Sequence, residues 1–374
     1  MSNPQQPMQR LRKLRDAGVS VWLDTLSREL LETGRFQELV RDYAVTGATS
    51  NPTIFAKAIT GSDRYDAQLH AAVEHGVDDP QELFFELALE DVRRAAQVLR
   101  PSYEDSERRD GFVSFECTPD LADDTRATIE QAVALWQRLD LPNVMIKVPA
   151  TAAGIPAIEE LTARGVSVNV TLLFSIDRYD QVIEAYLRGL ERRVENGQSL
   201  IGLASVASFF VSRVDAKADP LLPDGSPLRG RLAIANAHQA YRRYRERHAG
   251  ERWDALQRHG ATPQRPLWAS TGTKDPAYRD VVYVEQLIAP DVINTMPDKT
   301  LHAFADHGEV VTALAVDATE PERTLAAAAD AGVDLERVTS ELEVEGVSAF
   351  RDSYLDLLEC IQRKLERVGS AARG

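Results

Sequence analysis

Eight short apolar runs punctuate the chain, and their regular alternation with helical patterns constrains its fold more than any other feature. They occupy 19–24 (VSVWLD), 44–50 (AVTGATS), 112–117 (FVSFEC), 143–150 (NVMIKVPA), 167–174 (SVNVTLLF), 200–208 (LIGLASVAS), 265–270 (RPLWAS) and 291–297 (DVINTMP). Each is β-rich and bounded by turn residues. Most are apolar almost throughout, as strands covered on both faces should be. Between them lie amphipathic stretches such as 27–43, 119–140 and 175–197. Eight strands alternating with helices predict an α/β protein, specifically a closed (β/α)8 TIM barrel. The competing architecture, an open doubly wound sheet, needs a glycine-rich nucleotide turn after its first strand. The first run is instead followed by TLSREL, which contains no glycine.

All 374 residues are read as a single (β/α)8-barrel domain, 1–374, with core strands within 19–297. Extra helices are expected in 1–18, 52–110, 215–264 and 308–374. The formal charge of −15 opposes contact with a phosphate backbone, so nucleic acid is not expected as a partner. The same charge sets a condition for any anionic substrate: cations must be gathered locally to hold it. Cys117 and Cys360 are too few for a disulfide framework or a cysteine-based metal cluster, and a reduced compartment fits them. The N-terminal segment lacks the apolar core of a signal peptide. The longest apolar run, 201–211, is too short to span a membrane. A cytoplasmic location without membrane contact is therefore expected.

In a parallel barrel, catalytic groups gather at the C-terminal ends of the strands. Polar residues stand at nearly every such end: Asp24, Asn51, Glu116, Lys147, Asn169, Thr171, Ser205, Ser208 and Ser270, with Lys274 just beyond. Lys147 is the sharpest of these, because only seven of the 43 basic residues are lysine. A lysine inside an apolar strand of so arginine-rich a chain suggests chemistry that needs a neutral amine, which arginine cannot supply. The bland alternative is a lysine whose stem packs while its ammonium reaches the rim. Asp24 and Glu116 could equally be its structural ion-pair partners. Asn51, directly before Pro52, is a ready helix cap. Ser208 and Ser270 have similar readings as caps or turn residues, and Arg213 as one side of a surface salt bridge. No histidine spacing marks a metal site, and no phosphate loop or nucleophile elbow is present.

At TSNPTIF (49–55), NVMIKVPAT (143–151) and SVNVTLLFS (167–175) the sequence closely resembles the transaldolase family. The likeness continues through WLDTLSR (22–28), VSFECTPDLADDT (113–125), ASVASFFVSRVD (204–215), WASTGTKDPAY (268–278) and NTMPDKTL (294–301). Length and tail resemble the longer bacterial members of this Schiff-base aldolase superfamily. The resemblance implies transfer of a dihydroxyacetone unit from a ketose phosphate, such as sedoheptulose 7-phosphate or fructose 6-phosphate. The acceptor would be an aldose phosphate, glyceraldehyde 3-phosphate or erythrose 4-phosphate, as in the non-oxidative pentose phosphate pathway. It implies no metal and no organic cofactor.

By the same resemblance Lys147 is the Schiff-base nucleophile, Asp24 the base for the C4 hydroxyl, and Glu116 with Thr171 the handlers of water. Asn51, Asn169 and Ser208 would bind the dihydroxyacetone hydroxyls. Arg213 and Lys274, helped by Ser270, would hold the terminal phosphate. Phe210 stands where dihydroxyacetone-releasing relatives carry tyrosine, which favours transfer over release; its other reading is simple packing. The rival functions are an aldolase that releases dihydroxyacetone, a non-catalytic phosphosugar-binding scaffold, and a pyridoxal phosphate enzyme using Lys147. A monomer and a homodimer are both compatible with the sequence.

Overall fold

The apolar runs pair in chain order into a closed parallel barrel in a computed structural model that describes residues 5–310, 314 and 319–371. Its strands are Val19–Leu23 (β1), Val45–Thr49 (β2), Val113–Glu116 (β3), Val144–Pro149 (β4), Val168–Leu173 (β5), Ser205–Phe210 (β6), Arg265–Ala269 (β7) and Val292–Met296 (β8). β8 closes on β1 with Val19 opposite Val292 and Leu23 opposite Met296. Every strand residue except Thr46 and Arg265 is buried, which is why the runs read as continuous apolar sequence rather than as alternation.

Two boundaries differ from the sequence reading. The sixth strand, expected at 200–208, is Ser205–Phe210. Leu200–Ala204 forms a turn instead, in which Leu203 N–H donates to Leu200 C=O (3.2 Å) across Gly202, whose φ is +85°. Ser205 therefore opens the strand, and its hydroxyl donates to Val168 C=O (2.8 Å) far from the C-terminal rim. The amphipathic stretch 27–43 is two helices, Arg28–Glu32 and Arg35–Asp42, because Gly34 takes a left-handed φ of +77° between them.

Helix starts follow their capping residues. Asp124 accepts from Ala127 N–H (3.0 Å) to begin Thr125–Leu139, and Ser175 accepts from Arg178 N–H (3.2 Å) to begin Ile176–Glu195. Three helices, Pro52–Thr60, Asp66–Glu74 and Pro80–Asp105, fill the long β2–β3 connection. No described helix is long and apolar enough to cross a membrane.

The longest element is the C-terminal helix Leu335–Ala371. Ser353 bonds Thr53 (2.7 Å) just after β2, and Arg351 reaches Pro119 C=O (3.2 Å) just after β3. Glu343 pairs with Arg178 (3.3 Å) after β5, and Glu341 and Glu345 pair with Lys217 (2.8 and 2.6 Å) after β6. All these partners follow the C-terminal ends of strands. The helix thus runs along the rim where a barrel enzyme builds its site.

Candidate active site

Strand register brings the central residues together. Glu116 on β3 lies opposite Lys147 on β4, and Lys147 lies opposite Asn169 on β5. Three neighbouring strands therefore place an acid, an amine and an amide in one row. Lys147 is only 5% exposed, so its ammonium depends on protein partners. It donates to Ser50 C=O (2.9 Å) at the end of β2 and pairs with Glu116 Oε2 (3.3 Å).

Asp24 leaves β1 with its N–H bonded to Met296 C=O (2.8 Å), and its carboxylate accepts from the Thr49 hydroxyl (2.8 Å). Thr49 in turn lies 2.8 Å from the Thr295 hydroxyl, so β1, β2 and β8 jointly fix the acid. Asp24 keeps part of its surface exposed yet sits deep among protein atoms. That burial raises its pKa above the usual carboxylate value, against the opposing pull of Lys147, the Thr49 bond, Arg213 and Lys274. Burial raises Glu116 as well, and the negative charge of Asp24 adds to the effect, while Lys147 opposes it. Two acids with raised pKa thus flank one buried amine. The arrangement suits proton transfer between these groups and a bound ligand.

Asn169 is the middle of a buried chain. Its amide donates to Ser114 Oγ (2.9 Å), and its oxygen accepts from Ser208 Oγ (2.7 Å). These bonds fix the amide orientation and leave one N–H for another acceptor. Two residues on, the Thr171 hydroxyl is buried without a hydrogen-bond partner among the described residues. Such a group costs about 1–3 kcal/mol unless a partner satisfies it, so it suits a bound hydroxyl or water. Leu172, next in the strand, has a φ of +56° at a register shift between Val170 and Leu173. An irregularity of this kind re-aims side chains beside a site.

Asn51 does act as a cap: its oxygen accepts from Ile54 N–H (2.9 Å) to start Pro52–Thr60. Its amide N–H groups remain for other acceptors.

The remaining residues form a second cluster at the mouth. Phe210 closes β6, 7% exposed, against the Phe174 ring at 5.2 Å. The half-buried Arg213 guanidinium lies over the other side of this packing, 5.2 Å from the Phe210 ring centre. Among the described residues Arg213 has neither a hydrogen bond nor an ion pair, so the surface salt bridge is not formed. Burial lowers its pKa, but arginine stays charged. Ser270, with a φ of +55°, lies 3.0 Å from the Ser212 hydroxyl, and its C=O accepts from Ser212 N–H (3.1 Å). It thereby ties the end of β7 to the helix Ser212–Ala218 that carries Arg213. Lys274 is exposed on the following loop; partial desolvation and the charge of Arg213 lower its pKa, and Asp24 opposes this. Arg213, Lys274 and Asp24 thus share one local field at the barrel mouth.

Thr49, Ser50, Ser114 and Thr295 are parts of the site that the sequence reading passed over. A signal for Ser114 existed, since it stands two residues before Glu116 and so shares its face of β3. The Ser50 contribution is a backbone carbonyl, which no residue pattern announces.

A buried lysine paired with an acid at the C-terminal rim of a (β/α)8 barrel defines a class of enzyme-like sites built for amine chemistry. Residues 21–361 match the family model for transaldolase/fructose-6-phosphate aldolase. The chain is 48% identical over 364 residues to a protein named transaldolase from Saccharopolyspora erythraea, covering 96% of this chain and 98% of that one. It is also 48% identical over 376 residues to a transaldolase of Frankia alni, covering 99% and 100% of the two chains. A transaldolase of Acidothermus cellulolyticus is 49% identical over 366 residues, with 96% and 97% covered. The chain belongs to the transaldolase/fructose-6-phosphate aldolase family.

Proposed function

We propose that this protein is a transaldolase that moves a dihydroxyacetone unit between sugar phosphates through an imine on Lys147. The observation that carries the reading is the buried Lys147 ammonium, held 3.3 Å from Glu116 with Asp24 close enough for its charge to be felt. The relatives named above carry the same activity in their names.

Lys147 gives a proton to Glu116 and attacks the C2 carbonyl of the donor; water leaves as the iminium forms. Asp24 takes the proton of the C4 hydroxyl. The C3–C4 bond breaks, its electron pair passes into the iminium, and the shortened aldose departs. The enamine carbon then attacks the acceptor aldehyde, Asp24 returns its proton to the new hydroxyl, and water held by Glu116 and Thr171 hydrolyses the imine. Asn169, Ser208 and the Asn51 amide orient the three-carbon unit. Arg213 and Lys274, with Ser270 fixing their frame, hold the terminal phosphate. These cations meet the condition that a chain of charge −15 sets for anionic substrates. Sedoheptulose 7-phosphate or fructose 6-phosphate is the donor, and the reaction belongs to the cytoplasmic pentose phosphate pathway, without metal or organic cofactor.

The family description covers aldolases too, and Phe210 favours transfer: a phenyl ring offers no hydroxyl to direct water at the imine. The test is borohydride reduction with fructose 6-phosphate and peptide mass mapping. A dihydroxyacetone adduct is expected on Lys147 alone; an adduct on Lys274 or Lys299 overturns the mechanism.

A further inference from the structure

Gly346 stands in the interior of the C-terminal helix Leu335–Ala371, where glycine weakens a helix more than any residue except proline. Its surroundings explain the choice. A Cβ built at this position would come within 2.9 Å of Leu172 Cδ2 and 3.7 Å of Arg213 Nη1. The first approach forces Leu172, buried in β5 with a φ of +56°, to yield slightly. The second puts the guanidinium within reach of a side chain longer than a methyl group.

The residues flanking Gly346 sharpen the point. Glu341 and Glu345 hold Lys217, one turn beyond Arg213, at 2.8 and 2.6 Å, and Glu343 holds Arg178 at 3.3 Å. This stretch of helix therefore presents a carboxylate to each neighbouring cation of the rim. To Arg213 it presents a bare backbone. The guanidinium consequently keeps its N–H donors uncommitted among the described residues while it lies 5.2 Å from the centre of the Phe210 ring.

We propose that Gly346 is a specificity-determining position: the C-terminal helix forms one wall of the terminal-phosphate subsite, and the glycine keeps Arg213 open to a phosphate monoester. The inference rests on the assignment of Arg213 to the substrate phosphate. An aspartate at 346 would act as an internal anion, pairing with Arg213 in place of substrate. An asparagine of nearly the same size would take up the same space without the charge.

The experiment measures borohydride-trapped imine on Lys147 against concentration of fructose 6-phosphate and, separately, of unphosphorylated dihydroxyacetone. G346D should raise the half-saturating concentration of fructose 6-phosphate about tenfold or more, the loss expected when a charge-assisted contact is removed. Its dihydroxyacetone curve should not move. G346N should show a smaller rise, and G346A should stay near the unmodified protein in both curves while melting no lower. If G346D and G346N fold poorly, G346S is the readable variant: it should raise the fructose 6-phosphate value without moving the dihydroxyacetone curve, and no separation of the two overturns the proposal. Equal shifts for both ligands, or none with G346D, overturn the proposal. R213A serves as the reference: if it fails to separate the ligands, the phosphate assignment itself falls and takes the inference with it. If R213A separates them and G346D does not, only the role of Gly346 falls.

Discussion

The two halves of the site are built differently. The half proposed to react, Glu116, Lys147, Asn169 and Thr171, stands on β3, β4 and β5, and ladder register fixes its spacing. All but one of its polar side chains have protein partners, and the exception is the Thr171 hydroxyl. The recognising half, Arg213, Ser270 and Lys274, stands on a helix and a loop, and its two cations have no ion-pair partner among the described residues. Rigid strands suit a reaction in which a small misplacement is costly. Uncommitted cations suit a ligand that must bind and leave repeatedly. Substitutions in the first half should therefore change the rate of chemistry, and those in the second should change which ligand is bound.

Lys147→Arg gives the largest expected effect. It keeps the charge beside Glu116 but removes the proposed nucleophile, so turnover and borohydride trapping should both be lost. Residual trapping in that variant would mean a second lysine reacts. Asp24→Ala should come next, forming the imine but losing on the order of 10²–10⁴ in cleavage, as removal of a general base does. Glu116→Ala should instead slow imine formation and hydrolysis. The sign of the pH effect follows from burial: Asp24 has a raised pKa and must be ionised to accept a proton. Cleavage should therefore fall as pH drops through that raised value, earlier than for an ordinary aspartate. Asp24→Asn should abolish this limb of the profile. A profile unchanged in Asp24→Asn would assign the limb to another group.

The reacting half was also the more legible in sequence. Its residues interrupt strands that must be apolar to be covered on both faces, so Glu116, Lys147, Asn169 and Thr171 stand out against VSFE, VMIKVP and VNVTLL. The eightfold alternation gave the barrel for the same reason. The recognising half carries no such contrast, because an arginine on a helix or a lysine in a loop is ordinary; position just beyond the seventh strand pointed to Lys274, but only the family resemblance singled out Arg213 and gave both a phosphate. The shift of the sixth strand went unseen because Leu200–Ala204 is as apolar as the strand it precedes, and only the conformation at Gly202 separates them. The rim path of the C-terminal helix was equally hidden. It rests on contacts between residues hundreds of positions apart, such as Thr53 with Ser353.

Arg213→Ala sharpens the comparison from the other side. It should weaken phosphorylated donors by about 1.5–3 kcal/mol, the worth of a charge-assisted hydrogen bond. Dihydroxyacetone, which carries no phosphate, should be trapped as before. Because the guanidinium also covers the Phe210 ring, some loss of thermal stability should accompany the change, and Arg213→Lys should recover part of the binding. An equal effect on phosphorylated and unphosphorylated ligands would make Arg213 a packing residue and erase the division of labour.

The smallest expected effect lies at the seam between the halves, at Phe210. Its ring packs on Phe174 at 5.2 Å and under Arg213 at 5.2 Å, so packing alone would justify it. The chemical reading adds a second role. In the proposed reaction the three-carbon unit stays on Lys147 after cleavage until an acceptor aldehyde arrives, and water able to reach the imine would release it. A phenyl edge gives that water nothing to bond with, whereas a tyrosine hydroxyl would hold and orient it. Phe210→Tyr should therefore raise dihydroxyacetone release from fructose 6-phosphate in the absence of acceptor, with trapping on Lys147 intact. At 7% exposure the added oxygen is nearly buried, so a small fall in melting temperature should accompany the change. A fall in stability without faster release would leave Phe210 as packing only. Release by the unmodified protein as fast as transfer would move the whole assignment from transaldolase to aldolase.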